Sequence, residues 1–324
     1  IAGMLAGIDS ARPTSNLWGE RWSKLCANAQ ANGVAAATGL GQTNYEPTTV
    51  NLSSSGQVPD SCRVVAIAGP QSDFTEAEVE ALARFMDDGG RLLAMLESRV
   101  DLLLLSGLLA DYGLVVNDDF VIDTGRNGQA VGLGIQVPMV DAYEGHPITD
   151  GFRMMTLYNM PRSLTVADPA PAGLDVLALT TRSSWGETTR GESATYDEGE
   201  DLVGPLPLVV AVGQAVEETP QAFRARMRTG EPAPVGDPLL VAFGDVDFAS
   251  NALFHFQGDG DLLLNSVNWL AGQQELISIM PKKVANKRIV MTDAQKGMAF
   301  VGLVLLLPAI PAIAGVLIMI RKVK

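Results

Sequence analysis

The sequence predicts an α/β protein with a parallel-rich sheet flanked by helices, followed by one membrane-spanning helix at its C-terminus. Three observations carry this expectation. Residues 63–96 read as strand, helix, strand with marked boundaries. Aromatic content is only 6% while Ala, Leu, Val and Gly abound, a composition suited to parallel layers buried on both faces. Gly297 to Ile320 (GMAFVGLVLLLPAIPAIAGVLIMI) contains no charged residue; as a helix it would be roughly 36 Å long, against a hydrocarbon core of ~30 Å.

From the N-terminus, helical spacing runs from about Leu17 to Ala31, with Leu17, Trp22, Leu25 and Cys26 on the inner face. A loop rich in Gly, Thr and Asn follows, and Glu46–Leu52 reads as a short strand before the polar turn Ser53–Gly56. Arg63–Ala68 (RVVAIA) is a short apolar run, as a buried strand should be, and it stops at Gly69-Pro70. Thr75 and Glu78 then have the spacing of a capping box, in which each side chain satisfies the other residue's backbone N–H, and Phe74 with Val79 forms a hydrophobic staple. Val79, Leu82, Ala83 and Met86 keep helical spacing until Gly89-Gly90, and Arg91–Leu96 is the next strand. Strand, helix and strand at this spacing make a βαβ unit, hence a parallel pair.

A helix is expected around Leu102–Tyr112 and a strand around Asp119–Asp123, whereas Gly125–Asp150 is Gly-rich and reads as irregular. Strands follow at Ser163–Val166, Val176–Thr180 and Leu206–Val212. The acidic stretch Glu187–Asp201 reads as a solvated loop and Gly213–Asp237 as a surface excursion. Pro238–Gly244 is a strand, and Asp261–Leu270 a helix with Leu263, Leu264, Val267 and Leu270 inward. The domain plan is a body over residues 1–280, open to division into sub-lobes 1–124 and 125–280, a juxtamembrane linker 281–296, the helix 297–320 and a tail 321–324.

The apolar stretch shows no polar stripe, unlike a core helix. Thr292 and Gln295 have capping-box spacing at its start, Pro308 and Pro311 each remove a helical hydrogen bond mid-span, and Arg321, Lys322 and Lys324 follow. Basic residues flank it on both sides (Lys282, Lys283, Lys287, Arg288 and Lys296 before it), so local charge does not place the tail in the cytoplasm and, if anything, favours the opposite, tail-anchored orientation. The chain begins with Ile1 rather than Met, and an upstream signal or anchor helix is expected.

A net charge of −14 and a pI near 4.5 argue against nucleic-acid binding, which needs a basic face. Cys26 and Cys62 form no CxxC pair and fit either one disulfide or two free thiols. The only histidines, His146 and His255, accompany no Gly-x-Ser-x-Gly elbow, so no catalytic triad is expected. Gly39-Leu40-Gly41 and Gly132-Leu133-Gly134 lack the third glycine of a dinucleotide fingerprint, and no Gly-Lys-Ser/Thr occurs, so no cofactor is expected. Trp185 fits either an exposed partner contact or a half-buried aromatic. The best candidate for a ligand site is Gly244–Asn251 (GDVDFASN). It follows a strand and opens a helix, where parallel sheets bind ligands, and Asp245 and Asp247 could hold a divalent cation with Asn251. The competing reading is structural: Asp247 or Ser250 caps the next helix while Asp245 ties the loop to backbone.

Several phrases occur together in order: Val58-Pro59-Asp60, VVAIAGP, TEAEVEALARFMDDGGRLLAML, HPITDGF (His146–Phe152), SSWGET (Ser183–Thr188), GPLPLVVAV (Gly204–Val212), GDVDFASN, and DLLLNSVNWLAGQQELISIMPK (Asp261–Lys282). This ordered set, over roughly residues 45–324, resembles the GldG-type auxiliary subunits of ABC transport systems, first named in gliding motility. The resemblance implies a domain shared with intraflagellar-transport proteins and distantly similar to class I glutamine amidotransferases without their catalytic residues. The expected sheet is therefore flavodoxin- or amidotransferase-like. It also implies an extracytoplasmic body at the cytoplasmic membrane, a cytoplasmic tail, and a permease and an ATPase as partners. The small residues Gly302, Ala309, Ala312 and Gly315 would let the C-terminal helix pack against a permease. The resulting expectation is a non-enzymatic accessory or scaffold subunit. An amidotransferase-like or metal-dependent hydrolase using Asp245, Asp247 and His146 or His255, and a tail-anchored cytosolic adaptor, are the alternatives.

Overall fold

The structure, a computed structural model, describes residues 48–125, 133–189, 194–216, 219–229 and 234–273. The chain divides into two units, Ile1–Pro281 and Lys282–Lys324, and every described residue belongs to the first.

Helix α1 (Leu52–Ser55) is followed by β1 (Val64–Ala68), α2 (Glu76–Asp87), β2 (Arg91–Met95), α3 (Leu103–Ala110), β3 (Leu114–Val116), β4 (Phe120–Asp123), β5 (Met139–Val140) and β6 (Thr156–Leu157). Then come β7 (Leu164–Val166), β8 (Leu174–Leu179), β9 (Ser184–Glu187), β10 (Leu202–Val203), β11 (Pro207–Gly213), α4 (Pro220–Thr229), β12 (Pro238–Phe243), a 3₁₀ turn (Asp247–Ala249) and α5 (Asp259–Leu270). The capping box at Thr75 and Glu78 is present, with both reciprocal bonds made.

The main sheet has five strands in the order β1-β2-β12-β11-β8. β1 with β2 and β2 with β12 pair parallel, while β11 pairs antiparallel with both β12 and β8. This corrects the expected flavodoxin- or amidotransferase-like sheet: the βαβ unit is real, but it is not repeated. After β2 the chain lays down short antiparallel pieces, β10-β9-β4, β3-β7 and β5-β6, instead of further crossovers. β11 then turns back into β12 beside it, which makes that pair antiparallel. The architecture is mixed α/β, with several small sheets around one larger one.

No helix among the described residues is long and apolar enough to cross a membrane. The membrane-helix expectation for Gly297–Ile320, including Gly302, Ala309, Ala312 and Gly315, falls outside the described residues, as do the helix expected at Leu17–Ala31 and Cys26. Cys62 is half-buried and its thiol is free.

The five-stranded sheet separates two apolar clusters. Leu93, Met95, Val209, Ala211, Val241 and Phe243 face one way and pack with Leu262, Leu263, Trp269 and Leu270 of α5. Leu92, Ala94, Leu96, Val210, Leu240 and Ala242 face the other way and pack with Leu82 and Met86 of α2 and Leu105, Leu108 and Leu109 of α3. Central strands buried on both faces need continuous apolar sequence, which is why β2 and β12 read as RLLAM and PLLVAF.

Local expectations change too: Gly125–Asp150, expected irregular, holds β5, and the segment after β12, expected to open a helix capped by Asp247 or Ser250, makes only the 3₁₀ turn, with no side-chain cap. Glu46–Leu52 was expected as a strand, but Leu52 opens α1: the Asn51 side chain accepts from Ser54 N at 3.2 Å, and Gly56 ends the turn at φ +67°. Glu187–Asp201 is not wholly a solvated loop, because Glu187 closes β9 and both Glu187 and Asp201 are buried.

Candidate functional site

Parallel strands β1, β2 and β12 end on the same side of the sheet, and the residues just beyond them form the candidate site. Gly244 leaves β12 under steric constraint. Its N–H donates to Leu208 O at 2.9 Å and its carbonyl accepts from Arg162 N at 2.8 Å. A Cβ at Gly244 would lie 2.0 Å from Arg162 O, so only glycine fits. Gly69, ending β1 at φ +55°, has the same constraint, since its Cβ would lie 2.7 Å from Val246 Cγ1.

Asp245 is 2% exposed. Its Oδ1 accepts from Asp247 N at 3.0 Å, and its Oδ2 accepts from Asn159 N at 3.0 Å and Phe248 N at 3.3 Å. Burial pushes its pKa up to about 8, against the pull of the Asn159 and Asp247 backbone donors. Asp247 turns outward, and its Oδ2 accepts from Asn159 Nδ2 at 2.6 Å. Asn159, on the β6–β7 connection, therefore ties both carboxylates to a second segment. Its neighbour Met160 holds φ +51°, a conformation uncommon outside glycine.

Glu97, just past β2, completes the group. Burial, and secondarily the Asp247 charge, raise its pKa to about 7, while Arg162 and Arg99 pull the other way. Asn251, expected with the two aspartates, is exposed, and no hydrogen bond joins it to either of them. The site is thus a cluster of carboxyls in which Asp245 braces the loop. Asp247 and Glu97 are the half-buried carboxyls of the group.

The histidines lie elsewhere. His146 is buried, its Nδ1 accepts from Ile148 N at 3.2 Å, and its ring meets Trp269 edge-on at 4.8 Å. Burial lowers its pKa to about 4. His255 is exposed against Phe254, with ring centroids 5.2 Å apart. Neither is hydrogen-bonded to Asp245 or Asp247.

Sequence reasoning missed Asn159 and Glu97, for which no local motif exists. It also missed a second carboxylate group, Glu187, Asp197 and Asp201, whose oxygens lie within 4.8 Å of one another. These oxygens already accept from the Thr189 and Thr195 N–H groups, the Thr188 N–H and hydroxyl, the Asp197 N–H and the Trp185 indole. Trp185 itself is half-buried on β9.

Fold and site together define a mixed α/β domain whose ligand-end carboxylates are largely built into its own backbone turns. The chain belongs to the family described as ABC-type uncharacterized transport system, whose model matches residues 19–266. That description places the family with ABC-type transport systems. Mouse intraflagellar transport protein 52 homolog is 46% identical over 59 residues, 17% of this chain and 14% of that protein. The human counterpart is 44% identical over 59 residues, 17% of this chain and 13% of its own length. The chain thus matches about one-seventh of those relatives. The solved mmIFT52 N-terminal domain shares 16% identity at a TM-score of 0.47, covering 71% of this chain and 86% of that one.

Proposed function

We propose that the chain is a non-catalytic accessory subunit, a binding and scaffolding body beside the permease and ATPase of an ABC-type transport or motility-related system. The body lies on the extracytoplasmic side of the cytoplasmic membrane. The observation that carries the reading is the family match over residues 19–266. Geometry is consistent with a structural role for Asp245, whose oxygens accept three backbone N–H groups and so brace the loop. The hydrolase alternative uses His146 or His255 with Asp245 and Asp247, but His146 is buried against Trp269 and bonded to Ile148 N, and no hydrogen bond joins His255 to either aspartate.

The test is affinity purification of the tagged full-length chain from mildly solubilised membranes, with mass spectrometry of what accompanies it. A permease and an ATPase in stable proportion are expected. A chain that runs alone overturns the reading.

A further inference from the structure

We propose that the outer edge of β10 is a docking site for an extended segment of a partner protein that interleaves apolar and basic side chains. Among the described residues, β10 has one neighbour, β9, and forms an edge of the β10-β9-β4 sheet. Leu202 pairs with Gly186 and Val203 with Trp185. The next residue fixes which groups face outward. Gly204 N donates to Ser184 O at 2.9 Å, so Gly204 and Ser184 form a hydrogen-bonded pair. Antiparallel pairs alternate, which makes Val203 and Trp185 a non-hydrogen-bonded pair and turns the N–H and C=O of Val203 away from β9.

The side chains at this edge are apolar where natural edges are usually charged. Val203 is 61% exposed and Leu202 40%, and as successive strand residues they lie on opposite faces. On Val203's face the apolar surface continues through Trp185 to Tyr196, which is 41% exposed and meets the indole at a centroid distance of 6.4 Å. Charge identifies the partner's chemistry. The segment entering β10 carries Asp197, Glu198 and Glu200, all exposed, and the chain's net charge is −14. A basic strand is attracted to this edge, and an acidic one is repelled. Strand addition supplies the backbone bonds and the apolar row supplies side-chain contact. The surface is independent of the carboxylates beyond β12 and of the transport role.

The test uses the full-length protein and a fluorescent Lys-Val-Lys-Val-Lys-Val-Lys peptide, read by anisotropy at low and high salt. Controls are the same peptide with a central proline and an alternating Glu-Val peptide. Val203→Asp keeps the electrostatic attraction but removes the apolar contact, and should weaken binding at least tenfold. Val203→Lys should weaken it further. Leu103→Lys, at an apolar residue 75% exposed elsewhere, should leave it unchanged. Circular dichroism verifies that each variant is folded. The proline peptide should bind at least tenfold more weakly, and the acidic peptide should not bind. Equal binding by the Val203 variants, equal binding of the proline peptide, or no binding to the parent protein overturns the proposal. So does concentration-dependent dimerisation that Val203→Asp abolishes, since the edge would then belong to a second copy.

Discussion

Asp73 caps a helix that begins about thirty residues further along the chain. Its Oδ2 accepts from Leu104 N at 2.7 Å and its Oδ1 from Leu105 N at 3.3 Å. The residue in the capping position of α3, Leu102, has no side-chain oxygen to offer. The loop after β1 thus supplies what α3 lacks, and the carboxylate also complements the positive end of the helix dipole. This contact ties the β1–α2 loop to α3 on one face of the sheet.

Asp73→Ala should lower stability by about 1–2 kcal/mol, the usual cost of losing a helix cap. Asp73→Asn should cost less, because one acceptor oxygen remains. Urea denaturation of both variants checks this. A change confined to Asp73→Asn, or none in either variant, would show that the cap contributes nothing.

Gly244→Ala should be far more damaging. The added methyl would lie 2.0 Å from Arg162 O, a backbone atom whose own N–H is bonded to Gly244 O. Relief requires separating β12 from the segment before β7, which disrupts the turn that Asp245 holds. A loss of more than about 3 kcal/mol is expected. Gly89→Ala is the comparison: at φ +88° it is also strained, but no atom lies within 4 Å of its Cβ position, so it should cost clearly less.

These elements show how far sequence reaches. The βαβ unit was legible because each boundary is local: Thr75 and Glu78 are three residues apart, and Gly89-Gly90 follows at once. The strands of the main sheet were legible as apolar runs. Their directions were not, since a fully apolar run such as PLVVAVG reads alike in either orientation. The small strands β5, β6 and β10 have two residues each, too few for any period. At the candidate site, Asp245 and Asp247 were legible from position after a strand. Asn159 was not, because its relation to Asp245 spans 86 residues and rests on a backbone N–H that any residue but proline has.

Asp119 is a buried carboxyl of the same kind, and removing it should be costly. It accepts from Ser163 N at 2.8 Å and from Ser163 Oγ at 2.5 Å, joining the start of β4 to β7. A Cβ on Gly186 of β9 would lie 2.0 Å from its Oδ2. Asp119→Ala leaves two buried donors without an acceptor, at about 1–3 kcal/mol each. Adding Ser163→Ala removes one of those donors, so the double variant should lose less than the sum of the singles. An additive double-variant cycle would contradict the pairing.

The last prediction concerns pH and rests on Asp259, the first residue of α5. It is fully buried; its Oδ1 accepts from Leu157 N at 2.9 Å, while its Oδ2 has no partner. Burial raises its pKa from 3.8 to about 8, opposed by the Leu157 N–H. Between those two values the folded protein holds a proton that the unfolded chain has released. Stability contributed by this group is therefore greatest at or below pH 4 and falls as pH rises towards 8. Asp259→Asn keeps an acceptor for Leu157 N and carries no titrating proton. It should flatten part of the fall in stability between pH 5 and pH 8 and be more stable than the parent at pH 8, by about 1–3 kcal/mol. A residual slope is expected, because Asp245 and Glu97 are shifted in the same direction. Urea midpoints of parent and variant across that range decide it. Parallel curves would mean that Asp259 does not hold its proton in the folded state.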